Sequence, residues 1–310
     1  MDKLFNELLD TLSLSGSEEY IIKLIRKNLP ENVVNINEDK MGNLIVKVGQ
    51  GDKKIMICTH TDEKGLIASY IEKDGKVRVE KIGDFNNESV QNSIVSFNNG
   101  IKGKLISSNN ELLIDLGMNS RDEVLKSGIR EGYVAGITGS IVDLKTKILG
   151  SNISDKAGIY ILLKTIEQVK ELHREINFVF STQGQLGGRG ARAAAYSIDP
   201  DYCIVVNAIN SNDKGISIDK GPVLKIMDKT LIGNNKIISL IESAAEKNNI
   251  NIQRTSNRDS SLGSFVHKER SGIPTAEIDV PCRYKGSSIE LVSIEDINNT
   301  EKLIKDIIEA

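Results

Sequence analysis

Apolar positions along this chain recur first at helical spacing, then at strand spacing, and finally in alternation of the two. Leu4, Leu8, Leu9 and Leu12 share one helical face, and after the break Ser15-Gly16-Ser17 a second helix carries Tyr20, Ile21, Leu24 and Ile25 on its apolar side. Ser15 and Glu18 have the spacing of a capping box for that helix. Beyond Pro30, strands are predicted over residues 33–36 and 44–48 around the polar turn 39–43, and the apolar run from Ile55 to Cys58 predicts a buried strand leading to His60. From about Ala68 to Leu149 short alternating stretches at 76–80, 93–97, 103–106 and 112–115 are parted by Gly and Asn turns, with one helix from Arg121 to Ser127. This region reads as a small β-rich insert. From Ser151 onward helices (157–172, 187–196, 235–247) alternate with strands (176–180, 201–206, 275–278), and a last helix begins near Ser293 with Asp296 placed to support its first turn. The alternation predicts an α/β fold: a mixed, mostly parallel sheet with helices on both faces, built from residues 1–67 and 150–310, with 68–149 inserted.

Composition narrows the function. The chain has 310 residues, 39% of them apolar, enough for a substantial core in one large domain or two ordinary ones. Its 40 basic and 43 acidic residues give a formal charge of −3 with no basic block, so no nucleic-acid partner is expected. No apolar window is long enough for a membrane span and the polar start lacks the apolar centre of a signal peptide, so the expected location is cytoplasmic, away from membranes. Cys58, Cys203 and Cys282 are odd in number and set among apolar neighbours, which predicts buried free thiols.

The candidate chemistry begins at His60-Thr61-Asp62-Glu63, just past the carboxyl end of a strand, where open α/β sheets bind their ligands. A neutral imidazole can ligate a divalent ion while a carboxylate two residues on orients it, although a plain polar turn has the same spacing. Around it stand Met41-Gly42-Asn43-Leu44-Ile45, Asp115-Leu116-Gly117 with Ser120-Arg121, Asp155-Lys156-Ala157-Gly158, Gly187-Gly188-Arg189-Gly190-Ala191, Lys220-Gly221-Pro222-Val223 and Pro281-Cys282-Arg283-Tyr284. With these motifs the chain resembles, over almost its whole length, the tetrahedral aminopeptidase family, which includes glutamyl and deblocking aminopeptidases and is also labelled cellulase M. The resemblance implies a zinc-exopeptidase-like fold with a β-barrel-like insert. It also implies two divalent ions sharing a bridging aspartate and a glutamate general base that takes the proton of the activated water.

Residue by residue, the resemblance places His60 at the first histidine ligand and Asp62 at the carboxylate behind it. The bridging aspartate is replaced by Ser154, the general base by Gly184, and the next three ligands by Gln185, Asn207 and Gly286. A Thr-Asp pair of the substrate pocket corresponds to Ser261-Leu262. Loss of a supporting carboxylate alone costs ~10–100-fold in metal affinity, and loss of a base roughly 10²–10⁴ in rate. The expectation is therefore an inactive homologue that binds a peptide or a subunit, with no cofactor, or at most one weakly held Zn, Co or Mn ion. Ser154, Gln185 and Asn207 are expected to fill the old cavity as neutral groups, leaving His60 and Asp62 as a hydrogen-bonded pair. The alternatives are a metal-dependent aminopeptidase with a rearranged or single-metal site and, less favoured for a chain with no Trp and 4% aromatics, a glycan hydrolase.

Other candidates read as structural: His173 as solvent-exposed, His267 as a scaffold residue, and Gly187-Gly188-Arg189-Gly190 as a tight turn entering a helix. Asp155, Asp213 and Asp259 are free carboxylates without a motif. The expected partners are copies of the chain, from dimer to dodecamer, or a paralogous aminopeptidase subunit.

Overall fold

A computed structural model describes residues 2–309 except 32, 34, 109–110, 170–171, 212–214 and 258. The apolar runs assemble into two sheets. The larger runs in the order Ile36–Glu38, Leu44–Val48, Glu175–Ser181, Lys54–His60, Tyr202–Asn210, Thr275–Arg283, Glu290–Ser293, Lys147–Gly150, Val142–Asp143, with Val223–Met227 and Gln253–Ser256 joined beside Thr275–Arg283. Parallel pairing holds its middle, from Glu175–Ser181 through Lys54–His60 and Tyr202–Asn210 to Thr275–Arg283, and the pairs on either side of these are antiparallel.

Strand parity explains why these runs are apolar throughout. Ile55 and Ile57 pack with Phe178, Phe180 and Ile204 under the helices Ile153–Gln168 and Ile294–Glu309, while Met56 and Cys58 face Ala191, Ala194 and Ala195 of the helix Arg189–Ile198. Gly158 lets the first of these helices lie flat on the sheet, since a Cβ there would stand 2.1 Å from Thr59 Oγ1. The three cysteines are buried free thiols, and burial pushes Cys58 up to about 12. Among the described residues no helix is long and apolar enough to cross a membrane.

Four residues past His60 the chain leaves the sheet for a closed barrel of Gly65–Ile71, Val77–Ile82, Glu111–Asp115, Lys102–Ser108, Ile94–Phe97 and Val134–Thr138. Leu66, Ile71, Val79, Phe97, Leu105 and Ile114 belong to its separate core.

Several local expectations are corrected. Ser15 and Glu18 form no capping box: Ser15 Oγ donates to Asp62 Oδ2 at 2.5 Å and Glu18 Oε1 accepts from the Gln183 amide at 2.8 Å, so both brace the strand ends. Tyr20 is 70% exposed, and Ile22 takes the core position instead. The first strand is Ile36–Glu38; Val34, expected in it, lies outside the described residues. The helix expected over 157–172 begins at Ile153, which places Ser154 and Asp155 on its first turn, and ends at Gln168. Asp296 does not serve its own helix alone, because its carboxylate accepts from the Asp219 and Gly221 amides at 2.7 Å each.

A buried ion pair ties the barrel entrance to the helix Ile153–Gln168. Lys156 is fully buried, with Nζ 2.9 Å from Glu63 Oε2 and in contact with Ser13 Oγ. Lys156→Met strands Glu63 as an unpaired buried charge, and urea unfolding is expected to show a loss of about 3–5 kcal/mol. Adding Glu63→Gln should recover much of that loss; an equal loss in both variants would contradict the pairing.

Candidate functional site

The carboxyl ends of the parallel strands open into a cleft of about 490 Å³ whose lining includes His60, Lys64, Asp155, Gln185, Asn207 and Lys285. His60 is the last residue of its strand, and both ring nitrogens face acceptors: Nδ1 lies 2.8 Å from the Asp62 carbonyl oxygen and Nε2 lies 3.3 Å from Asn207 Oδ1. The Ala208 amide donates to the same Asn207 oxygen at 2.9 Å, which identifies that atom as an acceptor. A ring set between two acceptors is favoured in its protonated, positively charged form. Burial disfavours that charge, but the Asp62 hydrogen bond and the Asp155 and Asp62 carboxylates outweigh it and raise the pKa.

The expected side-chain pair of His60 with Asp62 takes another form. The short contact is to the Asp62 main chain, and the carboxylate stands 3.6 Å from Nδ1. That carboxylate instead accepts from Ser15 Oγ and from the Gly184 and Gln185 amides at 2.7 and 2.9 Å, fixing the turn after the neighbouring strand. Burial works against the ionised form, yet His60 and these donors hold its pKa below the ordinary carboxylate range.

The cavity is charged, which corrects the expectation that neutral groups fill it. Lys64 reaches in from the barrel entrance and sets Nζ 3.1 Å from Asp155 Oδ1, an oxygen that also receives Gln185 Nε2 at 3.2 Å and lies 3.9 Å from His60 Nε2. Burial opposes the charge of Lys64, but Asp155 and Glu290 outweigh it and raise its pKa; Asp155, buried as well, is held low by Lys64, His60 and Lys285. Ser154 faces Glu290, donating Oγ at 2.9 Å and its amide at 2.7 Å, and the Gly286 amide donates to the same carboxylate at 2.6 Å. Burial pushes Glu290 up. Lys225, on the far wall, pairs with Glu277 at 2.5 Å and Asp279 at 3.1 Å.

Sequence reading missed Lys64, Lys225, Lys285, Glu277, Asp279 and Glu290. Two signals were available: a lysine directly after His60-Thr61-Asp62-Glu63, at a point entering an apolar strand, and carboxylates set in the apolar runs Ala276–Val280 and Glu290–Val292. Of the remaining candidates, Ser261 and Leu262 are buried at the cleft, with Ser261 Oγ donating to Asp228 Oδ2 at 2.6 Å, and Asp259 is exposed along its lining. His173 is exposed, half-buried His267 caps the short helix Gly263–Val266, and Asp213 lies outside the described residues. Gly187 and Gly188 adopt positive φ in a tight turn that starts the helix Arg189–Ile198, as expected.

The donor set does not fit the two divalent ions that the resemblance implies. Ser154 is committed to Glu290, Gln185 and Asn207 are neutral amides, and Gly286 has no side chain, which leaves His60 alone among the five positions with the expected kind of ligand. The remaining carboxylate, Asp155, is held by an ammonium group. Gly184 closes the base position, since a Cβ there would lie 2.4 Å from His60 Cβ and 2.9 Å from Asp62 Oδ1.

Comparison with known proteins agrees with the fold. The family model described as M42 glutamyl aminopeptidase matches residues 42–303. An aminopeptidase-like protein of Acetivibrio thermocellus is 33% identical over 99% of this chain and 98% of its own. Among solved structures, the aminopeptidase APDkam598 of Desulfurococcus kamchatkensis superposes with a TM-score of 0.93 at 28% identity, covering 99% of this chain and 94% of that one. The TET1 peptidase of Pyrococcus horikoshii, which can assemble into a tetrahedron or a large octahedral shell, superposes with a TM-score of 0.89 at 24% identity, covering 99% and 98%.

Two outcomes follow from this geometry. Gly184→Ala forces His60 or the turn to shift, and thermal unfolding should show a loss of about 1–3 kcal/mol; an unchanged melting temperature would mean the turn is not closed. Burial pushes Asp279 up to about 7, above its ordinary value, so the folded chain binds the extra proton. Stability should then fall as pH rises from about 4 to about 7, and Asp279→Asn should flatten that slope in denaturant titrations at stepped pH.

Proposed function

The chain belongs to the M42 glutamyl aminopeptidase family, and on that premise we propose that it holds a peptide or a related subunit in its cleft without hydrolysing it by the family's two-metal route. The observation that carries this reading is the contact of Lys64 Nζ with Asp155, in the place where a dication would be answered by carboxylates. Two dications would supply a polarised water, and a base would then take its proton. Here Lys64 supplies positive charge as a saturated N–H donor with no open coordination position, and the base position is a glycine closed against any side chain. What the residues can do is bind: the Gln185 and Asn207 amides, the lysines and the walls at Ser261 and Leu262 offer polar contacts to an extended chain.

Assembly belongs to the same proposal. A homologous peptidase can assemble into a tetrahedron or a large octahedral shell, which supports a homo-oligomer here, from dimer to dodecamer; mixed assembly with an active paralogue is the alternative. The competing reading, hydrolysis with a rearranged or single-metal site, is favoured by the aminopeptidase names of the relatives. It requires Asp155 to release Lys64. Glycan hydrolysis has little to build on, because Asp155 is committed to a lysine, the other carboxylates of the lining, Asp84 and Asp259, are exposed, and the chain has no Trp.

Purified protein assayed with lysyl, glutamyl and leucyl p-nitroanilides, with and without Zn²⁺, Co²⁺ or Mn²⁺, should show no release above background. Turnover that His60→Ala abolishes would overturn the non-catalytic reading and establish the rearranged enzyme.

A further inference from the structure

Four lysines line the cleft, three of them buried or half-buried, and among the described residues two of those three, Lys64 and Lys225, pair with a carboxylate. Lys64 lies 3.1 Å from Asp155, and Lys225 lies 2.5 Å from Glu277 and 3.1 Å from Asp279. Lys285 makes a single polar contact among the described residues, donating to the neutral carbonyl oxygen of Ala208 at 2.7 Å. Half-buried and facing the same space, it feels the other two: burial and the charges of Lys64 and Lys225 outweigh the attraction of Asp279 and Asp155 and pull its pKa below the ordinary lysine range. Like charges confined at low dielectric repel strongly, and an anion among them relieves the repulsion.

The neighbouring groups are arranged as donors. Asn207 uses its carbonyl oxygen to accept from the Ala208 amide at 2.9 Å and to face His60 Nε2 at 3.3 Å, which leaves its amide nitrogen as a donor with no protein acceptor among the described residues. Lys229 adds an exposed ammonium group to the lining. The acidic residues that oppose them are Asp155, already engaged by Lys64, Asp279, already engaged by Lys225, and the exposed Asp84 and Asp259, whose charges water screens. With a volume of about 490 Å³ the cleft has room for a small anion or for the end of a longer ligand.

We propose that this cleft is an oxyanion-binding site in which Lys285 and the Asn207 amide hold a carboxylate or phosphate group. The inference rests on the reading that the cleft carries cations of its own in place of dications, and it narrows the ligand to one with an anionic group at this point. Carboxylate and phosphate share the required chemistry, negatively charged oxygens that accept from an ammonium and an amide at once.

The test is thermal unfolding of the full chain titrated with inorganic phosphate, with succinate, and with chloride, all at one ionic strength. A ligand that binds only the folded form raises the melting temperature in a saturable way. Phosphate or succinate should do so beyond chloride, and whichever does so at the lower concentration identifies the source. Lys285→Gln should weaken that apparent affinity by roughly tenfold or more, the worth of a charged hydrogen bond, whereas Lys285→Arg should stay within about threefold because the charge and donors remain. Asn207→Asp, which sets a negative charge at the same place, should abolish the effect and provides the reading if Lys285→Gln does not fold. The inference is overturned if chloride matches both anions, if neither raises the melting temperature, or if the Lys285→Gln or Asn207→Asp protein titrates like the parent. Release of p-nitroaniline from aminoacyl substrates would overturn the non-catalytic reading, and these shifts decide the anion separately.

Discussion

A carboxylate buried at the end of a parallel sheet has to be matched by positive charge, and the cation that matches it sets what the cleft can do. Taking a single charge out of water costs several kcal/mol even after relaxation. Asp155 and Glu290 stand at 3% and 1% exposure, and the cation that answers them is Lys64, tethered to the strand that enters the barrel. The same solution recurs where Lys156 meets Glu63 and where Lys225 meets Glu277 and Asp279. A tethered ammonium supplies charge and hydrogen bonds. Unlike a dication, it has no coordination position in which water is polarised.

The rest of the architecture serves that arrangement. Parallel register aligns Ser181 with His60 and so puts two strand ends at one level, and the Asp62 carboxylate then locks the following turn through the Gly184 and Gln185 amides. Ser15 and Glu18, from the segment before the second helix, close the same network from below. Each donor in it is satisfied by a specific acceptor, so the turn has little freedom to open, and the glycine at its apex lies against His60.

Much of the fold was legible because burial on both faces leaves long apolar runs and helix faces leave a period: Asn235–Lys247 lies where its pattern placed it, and the alternating segments between 76 and 115 became barrel strands. Ser15 and Glu18 misled because a capping box and a tertiary brace use the same residue types at the same spacing, and only the tertiary structure shows which acceptor is nearer. At the cleft, the replaced positions could be read from motifs, but their consequence could not. Ser154 is neutral by itself, yet it faces Glu290, some 136 positions away in sequence, and a pairing over that distance leaves no local signature. Lys64 was the readable clue, an ammonium placed in sequence where the strand into the barrel begins.

The claim that internal cations stand in for dications is tested most directly by metal content. After incubation of the purified chain with excess Zn²⁺, Co²⁺ or Mn²⁺ and exhaustive dialysis, inductively coupled plasma mass spectrometry should find well below one ion per chain. The same measurement on a Lys64→Val protein should find more, because Asp155 is then free to take a cation. Retention of two ions per chain by the unaltered protein would contradict the account.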